Sequence, residues 1–302
     1  MRKLLIEISA LLIVFSGFVA LLEYHYNNYK TPVDFIIDKF DRKKDISSTI
    51  IIGNSHAEML GPVKLLPDSF STVNISMGGQ DLYHILLLLE KCIPEAENLK
   101  LVVLGLDYEL AGYNLAKEKQ EWKDRFYYPW NRNIYDRSFG NIIMAKSNFM
   151  RSNRDLSFIF KPQKTDASEL LIPPVSDGND DYYCKKRAQE HSVYKFNRDL
   201  AEENMSYLKR ISELCRKNKI TLLLINTPKT DCYTHYFNKE VAGFSSGLYK
   251  KFSQENKVLF LDLFSDSCYT ESDFIDFDHL NEQGVGKIAS GIKEVLYNND
   301  PQ

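Results

Sequence analysis

Cysteine is scarce in this 302-residue chain, and the five present, Cys92, Cys184, Cys215, Cys232 and Cys268, are scattered without a C-x-x-C pair. That spacing indicates neither a disulfide-built scaffold nor a cysteine-based zinc site, and the odd count leaves at least one thiol free. A surplus of either charge is also missing, since 38 basic residues face 41 acidic ones for a formal net of −3. A dedicated nucleic-acid binder needs a basic excess to neutralise phosphate, so no polyanion partner is expected. Glycine and proline number only 14 and 10, and no internal repeat is visible, which sets aside a collagen-like chain. At 44% hydrophobic and 26% charged the composition is globular, which excludes wholesale disorder and a multi-span transporter. The length suits one large domain or two small ones.

One long apolar run is present, and it lies at the N-terminus. Met1-Arg2-Lys3 precedes nineteen residues, Leu4 to Leu22, whose only charge is Glu7. As a helix this run covers roughly 28 Å, close to the ~30 Å hydrocarbon layer. Glu7 sits near the basic end, where its carboxylate reaches the headgroup zone. The flanking Arg2 and Lys3 favour a cytoplasmic N-terminus, which sends the rest of the chain across. A cleaved signal peptide is the main competing reading, but Phe18-Val19-Ala20 puts a ring where an A-x-A-like site needs a small residue. A buried core helix is the third. The expectation is a single-pass anchor over residues 1–25 with the working domain outside the cytoplasm, followed by a connecting stalk over 26–45 that holds at most one helix.

Beyond the stalk, short apolar segments alternate with helix-like stretches. Thr49–Ile52, Thr72–Ile75, Lys100–Leu104, Thr221–Ile225 and Val258–Leu263 read as strands, and such continuous apolar runs suit parallel strands covered on both faces. Leu82–Ile93 reads as a helix with Asp81 as N-cap. A second helix carries Leu200, Leu208, Ile211 and Leu214, and a last one carries Val285, Ile288, Ala289, Ile292, Val295 and Leu296 at i, i+3, i+4, i+7 spacing. The alternation predicts an α/β domain over 46–302, a doubly wound, flavodoxin-like three-layer αβα sandwich of about five mostly parallel strands. Residues 111–196 are too long for a plain connection and read as an insertion or lid, with a loop-like KPQKTDASELLIPPVSDGNDD portion.

Three short segments carry the chemistry. Ile50-Ile51-Ile52-Gly53-Asn54-Ser55-His56 is a strand running into a tight turn, and ligands in such sheets bind beyond the carboxyl ends of strands. Ser55 there is either a nucleophile or simply a helix cap. Asp276-Phe277-Asp278-His279-Leu280-Asn281 precedes the final helix. A serine hydroxyl needs a base to take its proton and a third group to hold that imidazole in one tautomer, and Asp276 with His279 supply both types. The bland alternative is a solvated acidic loop; a calcium loop lacks its glycine and distal glutamate. Asn74-Ile75-Ser76-Met77-Gly78-Gly79 ends the second strand, where adjacent glycines let backbone N–H groups approach a developing oxyanion.

Taken together and in this order, these segments resemble the SGNH/GDSL hydrolase superfamily over roughly Ile46 to Leu296. The resemblance implies Ser55 as nucleophile, Asp276 and His279 as its partners, and the N–H groups of Ser55 and Gly79 as the oxyanion hole. The third block departs from the family: where G-x-N-D is usual, this chain reads Gly105-Leu106-Asp107-Tyr108. An ionised Asp107 would repel an oxyanion, so it either points away, is protonated, or leaves a site with fewer donors. Membrane-anchored branches that act in envelope polysaccharide O-acetylation and teichoic-acid D-alanylation depart there too, and His279-Leu280-Asn281 with Gly284 looks most like those. Membership there would imply a serine esterase or O-acyltransferase acting on acyl esters of cell-envelope polysaccharide, beside a multi-span acyltransferase partner. The other reading is a non-catalytic carbohydrate-binding or scaffold protein that keeps the fold.

Other signals weigh less. Gly284-Val285-Gly286-Lys287-Ile288-Ala289 fits G-x-G-x-x-A but leaves too few residues for a βαβ unit. Cys232 and His235 lack a partner pair for metal, and no metal or other cofactor is expected. Trp122, Phe126, Tyr127, Tyr128, Trp130 and Tyr135 are candidates for sugar stacking or for packing; with Asp107, Trp122 and Trp130 are the candidate substrate-binding residues. His56 and His84 read as bystanders, because a rival to His279 would need its own orienting carboxylate.

Overall fold

The structure, a computed structural model, describes residues 1–61, 71–118, 121–152 and 180–298. Five strands, β1 (Ser47–Ile52), β2 (Ser71–Asn74), β3 (Leu101–Gly105), β4 (Thr221–Asn226) and β5 (Leu259–Asp262), pair in parallel throughout, in the order β2-β1-β3-β4-β5. Both faces are covered, which is why the strands read as unbroken apolar runs. Ile50, Ile52, Val102, Leu104, Leu222 and Leu224 face one core cluster, and the alternate residues Ile51, Leu101, Val103, Leu223 and Ile225 face a second. The larger cluster takes in α2 (Pro32–Asp41), α4 (Leu82–Cys92), α9 (Ala201–Lys217) and α11 (Lys239–Asn256). The smaller takes in α3 (Ser55–Glu58) and α12 (Glu282–Asn298). The chain is thus a doubly wound αβα sandwich whose strand order reverses between β1 and β3, the point beyond which such sheets place their ligands.

Residues 26–45 do not stand clear of this body. Thr31 and Asp34 form a capping box, Pro32 occupies the first turn, and α2 buries Val33, Ile36, Ile37 and Phe40 in the core, because their 3, 4, 7 spacing lines one face. α1 (Arg2–Tyr26) is long and apolar enough to cross a membrane, with a mean hydropathy of 2.5 and no buried residue in its most apolar window. Its C-terminal end is fastened to the insertion. The Glu23 carboxylate accepts from the Asn148 N–H at 2.7 Å and from the Ser147 hydroxyl, at the start of α7 (Asn148–Ser152), and the Tyr26 and Phe149 rings meet edge-on at 5.1 Å.

The described part of the insertion is built of 3₁₀ turns and short helices: α5 (Tyr128–Asn131), α6 (Phe139–Lys146), α7, and α8 (Asp180–Gln189), which runs into a π turn at Glu190–Tyr194. All but the last two residues of the loop-like 161–181 segment lie outside the described residues. α8 is tied to α10 (Asp231–Tyr236) by a Cys184–Cys232 disulfide, Cα to Cα 6.3 Å, while Cys92, Cys215 and Cys268 are free.

Candidate active site

Ser55 is set by the closest crossing in the sheet. A Cβ at Gly53 would lie 2.6 Å from the Ala57 Cβ and 3.1 Å from the Gly105 Cα, and one at Gly105 would lie 2.5 Å from the same methyl. Only glycine at both strand exits lets α3 sit this low over β1 and β3. Asn54 caps the helix, its Oδ1 accepting the His56 N–H at 3.1 Å, so Ser55 becomes the first helical residue, partly exposed, with an N–H that the helix cannot satisfy internally.

His279 reaches Ser55 from 224 residues away. The loop before α12 is closed by an antiparallel bridge between Phe274 and Leu280 and by the Ile275 N–H donating to the His279 carbonyl at 2.8 Å. Inside it the Asp276 carboxylate is fully employed: Oδ1 accepts the N–H groups of Asp278 (3.0 Å) and His279 (2.8 Å), and Oδ2 faces the His279 Nδ1 at 2.8 Å. A carboxylate opposite Nδ1 fixes the proton there and leaves Nε2 with its lone pair, 3.0 Å from the Ser55 Oγ. The structure therefore brings Ser55, His279 and Asp276 into one hydrogen-bonded line, in the geometry by which an imidazole accepts a serine proton.

Gly79 lies on the neighbouring loop. The Met77 N–H donates to the Gly53 carbonyl at 3.2 Å, and the Asn74 side chain donates to the carbonyls of Ala57 (2.9 Å) and Glu58 (3.2 Å), so the loop after β2 runs alongside α3. The Gly78 N–H donates to the Glu58 carboxylate at 3.2 Å. Gly79 has φ of +77°, which an L side chain adopts only with strain, and its carbonyl accepts from the Tyr113 hydroxyl at 3.3 Å.

Asp107 does not reach toward an oxyanion. It is fully buried, with Oδ2 2.8 Å from the His56 Nδ1 and Oδ1 accepting from the Thr227 hydroxyl and the Lys229 ammonium, each at 2.9 Å. Burial alone would raise its pKa, but Lys229 and His56 overcome this and hold it well below the usual carboxylate range, so it is ionised and turned away. Its place among the candidate substrate-binding residues gives way to this inward role, for the physical reason that two buried cations bind it. His56 is correspondingly no bystander: it has two carboxylates, Asp107 on Nδ1 and Asp278 on Nε2 at 2.9 Å. Burial and Lys229 pull its pKa down, yet the two acids bring it to about 9. Both ring nitrogens being occupied, it is no rival base to His279. His84 is likewise held between Asp81 (2.7 Å) and Asp124 (2.9 Å), with its pKa brought to about 9 against the pull of burial.

The aromatic stretch packs. Phe126 and Tyr127 are buried, the Trp130 indole N–H donates to the Asp34 carboxylate at 2.9 Å on α2, and the Tyr135 hydroxyl donates to Glu203 at 3.1 Å. The Trp122 side chain lies outside the described residues. Cys232, weighed as a metal ligand, is in the disulfide, and Gly284–Ala289 lies within α12. An open groove of about 640 Å³ lined by Tyr108, His235, Phe237, Lys239 and Phe264 does not include Ser55 or His279. Lys229 and Arg187, whose Nε is 3.0 Å from the Asp278 carboxylate, carry no sequence signal that points to the site.

One protein-family model, which carries no descriptive name, matches residues 182–299. No curated protein matches the chain. Among solved structures, the chain is similar to an inferred acylhydrolase from Bacteroides fragilis (13% identity over 83% of this chain and 86% of that one, TM-score 0.41). It is also similar to a GDSL-like lipase from Bacteroides thetaiotaomicron (12%, 85% and 90%, TM-score 0.41). A third is an inferred platelet activating factor from Streptococcus pneumonia (12%, 91% and 98%, TM-score 0.42). Likenesses this distant assign no activity.

Proposed function

We propose that this chain is a serine esterase or O-acyltransferase of the SGNH/GDSL type, held on a membrane by α1 with its α/β body outside the cytoplasm. The observation that carries the reading is the unbroken line from the Ser55 hydroxyl through His279 to Asp276. On this reading the Ser55 Oγ attacks an ester carbonyl while its proton passes to the His279 Nε2, and the alkoxide that leaves takes that proton back. The N–H groups of Ser55 and Gly79 receive the oxyanion. Water or a sugar hydroxyl, deprotonated by the same nitrogen, then accepts the acyl group from Ser55. The substrate is an acyl ester of an envelope polysaccharide, and a multi-span acyltransferase is the partner such an anchored domain would serve. Asp107 argues less for a decayed binding protein than its sequence suggests, because it is employed beneath the site. A fluorophosphonate probe on the full chain in detergent tests the reading: an adduct on Ser55, absent in Ser55→Ala together with esterase activity, is expected. No adduct, or equal ester hydrolysis by Ser55→Ala, overturns it.

A further inference from the structure

His279 has a second carboxylate beside it. The Asp278 Oδ1 lies 3.5 Å from the same Nδ1 that serves Asp276, is buried, and has no hydrogen-bond partner. A carboxylate so placed competes for the Nδ1 proton and favours the imidazolium, a form that cannot accept a proton from Ser55. What restrains it is the other oxygen. The Asp278 Oδ2 is met by the His56 Nε2 at 2.9 Å and the Arg187 Nε at 3.0 Å, with the His191 Nδ1 at 3.6 Å. The His56 ring lies 4.8 Å from the His279 ring, centroid to centroid.

We infer that His56 and Arg187 are positioning residues that hold Asp278 off the base, so that His279 keeps Asp276 as its partner. This rests on the proposed function and assigns the network beneath that same site. Several packed elements contribute groups facing His56. Beyond β3 are Asp107, and Glu109 at 3.7 Å; after β4 is Lys229; from the loop before α12 come Asp278 and His279; and from the π turn comes His191, whose Nδ1 meets the Tyr233 hydroxyl of α10 at 2.8 Å. Burial raises the Glu109 pKa, and Asp107 adds to this. Burial and Arg187 lower that of His191, which is neutral. Near Asp278 stand His56 and Arg187, with Asp107 and Lys229 behind them and Asp276 on the shared Nδ1. Removing either near cation leaves His279 facing a less compensated carboxylate.

The test is the proton affinity of His279 itself, read by NMR as the Cε1–H titration in the full chain carrying Ser55→Ala, which needs no turnover and so stands apart from the enzymatic claim. Adding His56→Gln, or separately Arg187→Gln at the more accessible end of the network, is expected to raise the His279 pKa by about one unit or more. In the Ser55-containing variants, the acid limb of kcat/KM should move up by the same interval while KM changes little. A titration unchanged in folded variants would overturn the inference, as would a uniform loss of kcat at every pH or failure of both variants to fold, since each would mark the network as structural only. Loss of probe labelling at Ser55 in the parent chain would sink the enzymatic reading without touching the titration.

Discussion

Ser55 faces an imidazole nitrogen that is free to accept because Asp276 has already claimed the proton on the other side of the ring. On the proposed reading, Asp276→Asn should therefore leave the fold intact and reverse the tautomer, lowering kcat on a p-nitrophenyl ester by on the order of 10³–10⁴ with little change in KM. The two residues that line up with Ser55, His279 and Asp276, were singled out in the sequence, since D-x-x-H on a turn brings its own carboxylate. The groups beneath were not: Lys229 stands 122 residues from Asp107 and Arg187 stands 91 from Asp278, and only the folded sheet brings them together. His56 and His84 carry a consequence for stability. Their folded pKa values, about 9, lie above the ordinary 6.5, so the stabilisation they contribute is fully present below pH 6.5 and is lost as pH rises through 9. Calorimetric Tm should fall between pH 7 and pH 10, and His84→Gln should flatten that slope while lowering Tm at pH 6.

At the scale of elements, the site depends on how close α3 comes to two strand exits. Gly105→Ala would put a methyl 2.5 Å from the Ala57 Cβ, with the Ala57 Cα and N at 3.6 and 3.8 Å behind it. The expected cost is about 1–3 kcal/mol in unfolding free energy by urea titration and, on the proposed reading, a larger fractional loss of kcat than of stability because Ser55 moves with α3. The strands and α4, α9 and α12 could be read from sequence because burial on both sheet faces and clear helical periodicity leave little ambiguity. α11 was harder to see: its buried positions are Val241, Ser245, Tyr249 and Phe252, only partly apolar, with two glycines among the helix residues. The helix read within the 26–45 stalk is there as α2, but it packs on the body rather than standing clear, because Val33, Ile36, Ile37 and Phe40 share one face among Asp34, Asp38, Lys39 and Asp41.

Across the whole molecule, a covalent tie and a polar tie join distant parts. The Cys184–Cys232 bridge fastens the helix carrying Arg187 to the helix carrying Tyr233, and cysteine spacing gave no hint of the pair. Alkylation of the native chain should modify Cys268 alone, denaturation should add Cys92 and Cys215, and Cys184 and Cys232 should react only after reduction. Replacing the pair by serine should lower stability by about 2–4 kcal/mol. The polar tie is Glu23, whose carboxylate holds the start of α7 one residue past the apolar run. On the proposed membrane reading, a body riveted at that point has no slack with which to rise or swing. It would treat only those esters displayed at a fixed stand-off from the lipid surface, so that chain length of the substrate, as much as its chemistry, would decide which groups are ever reached.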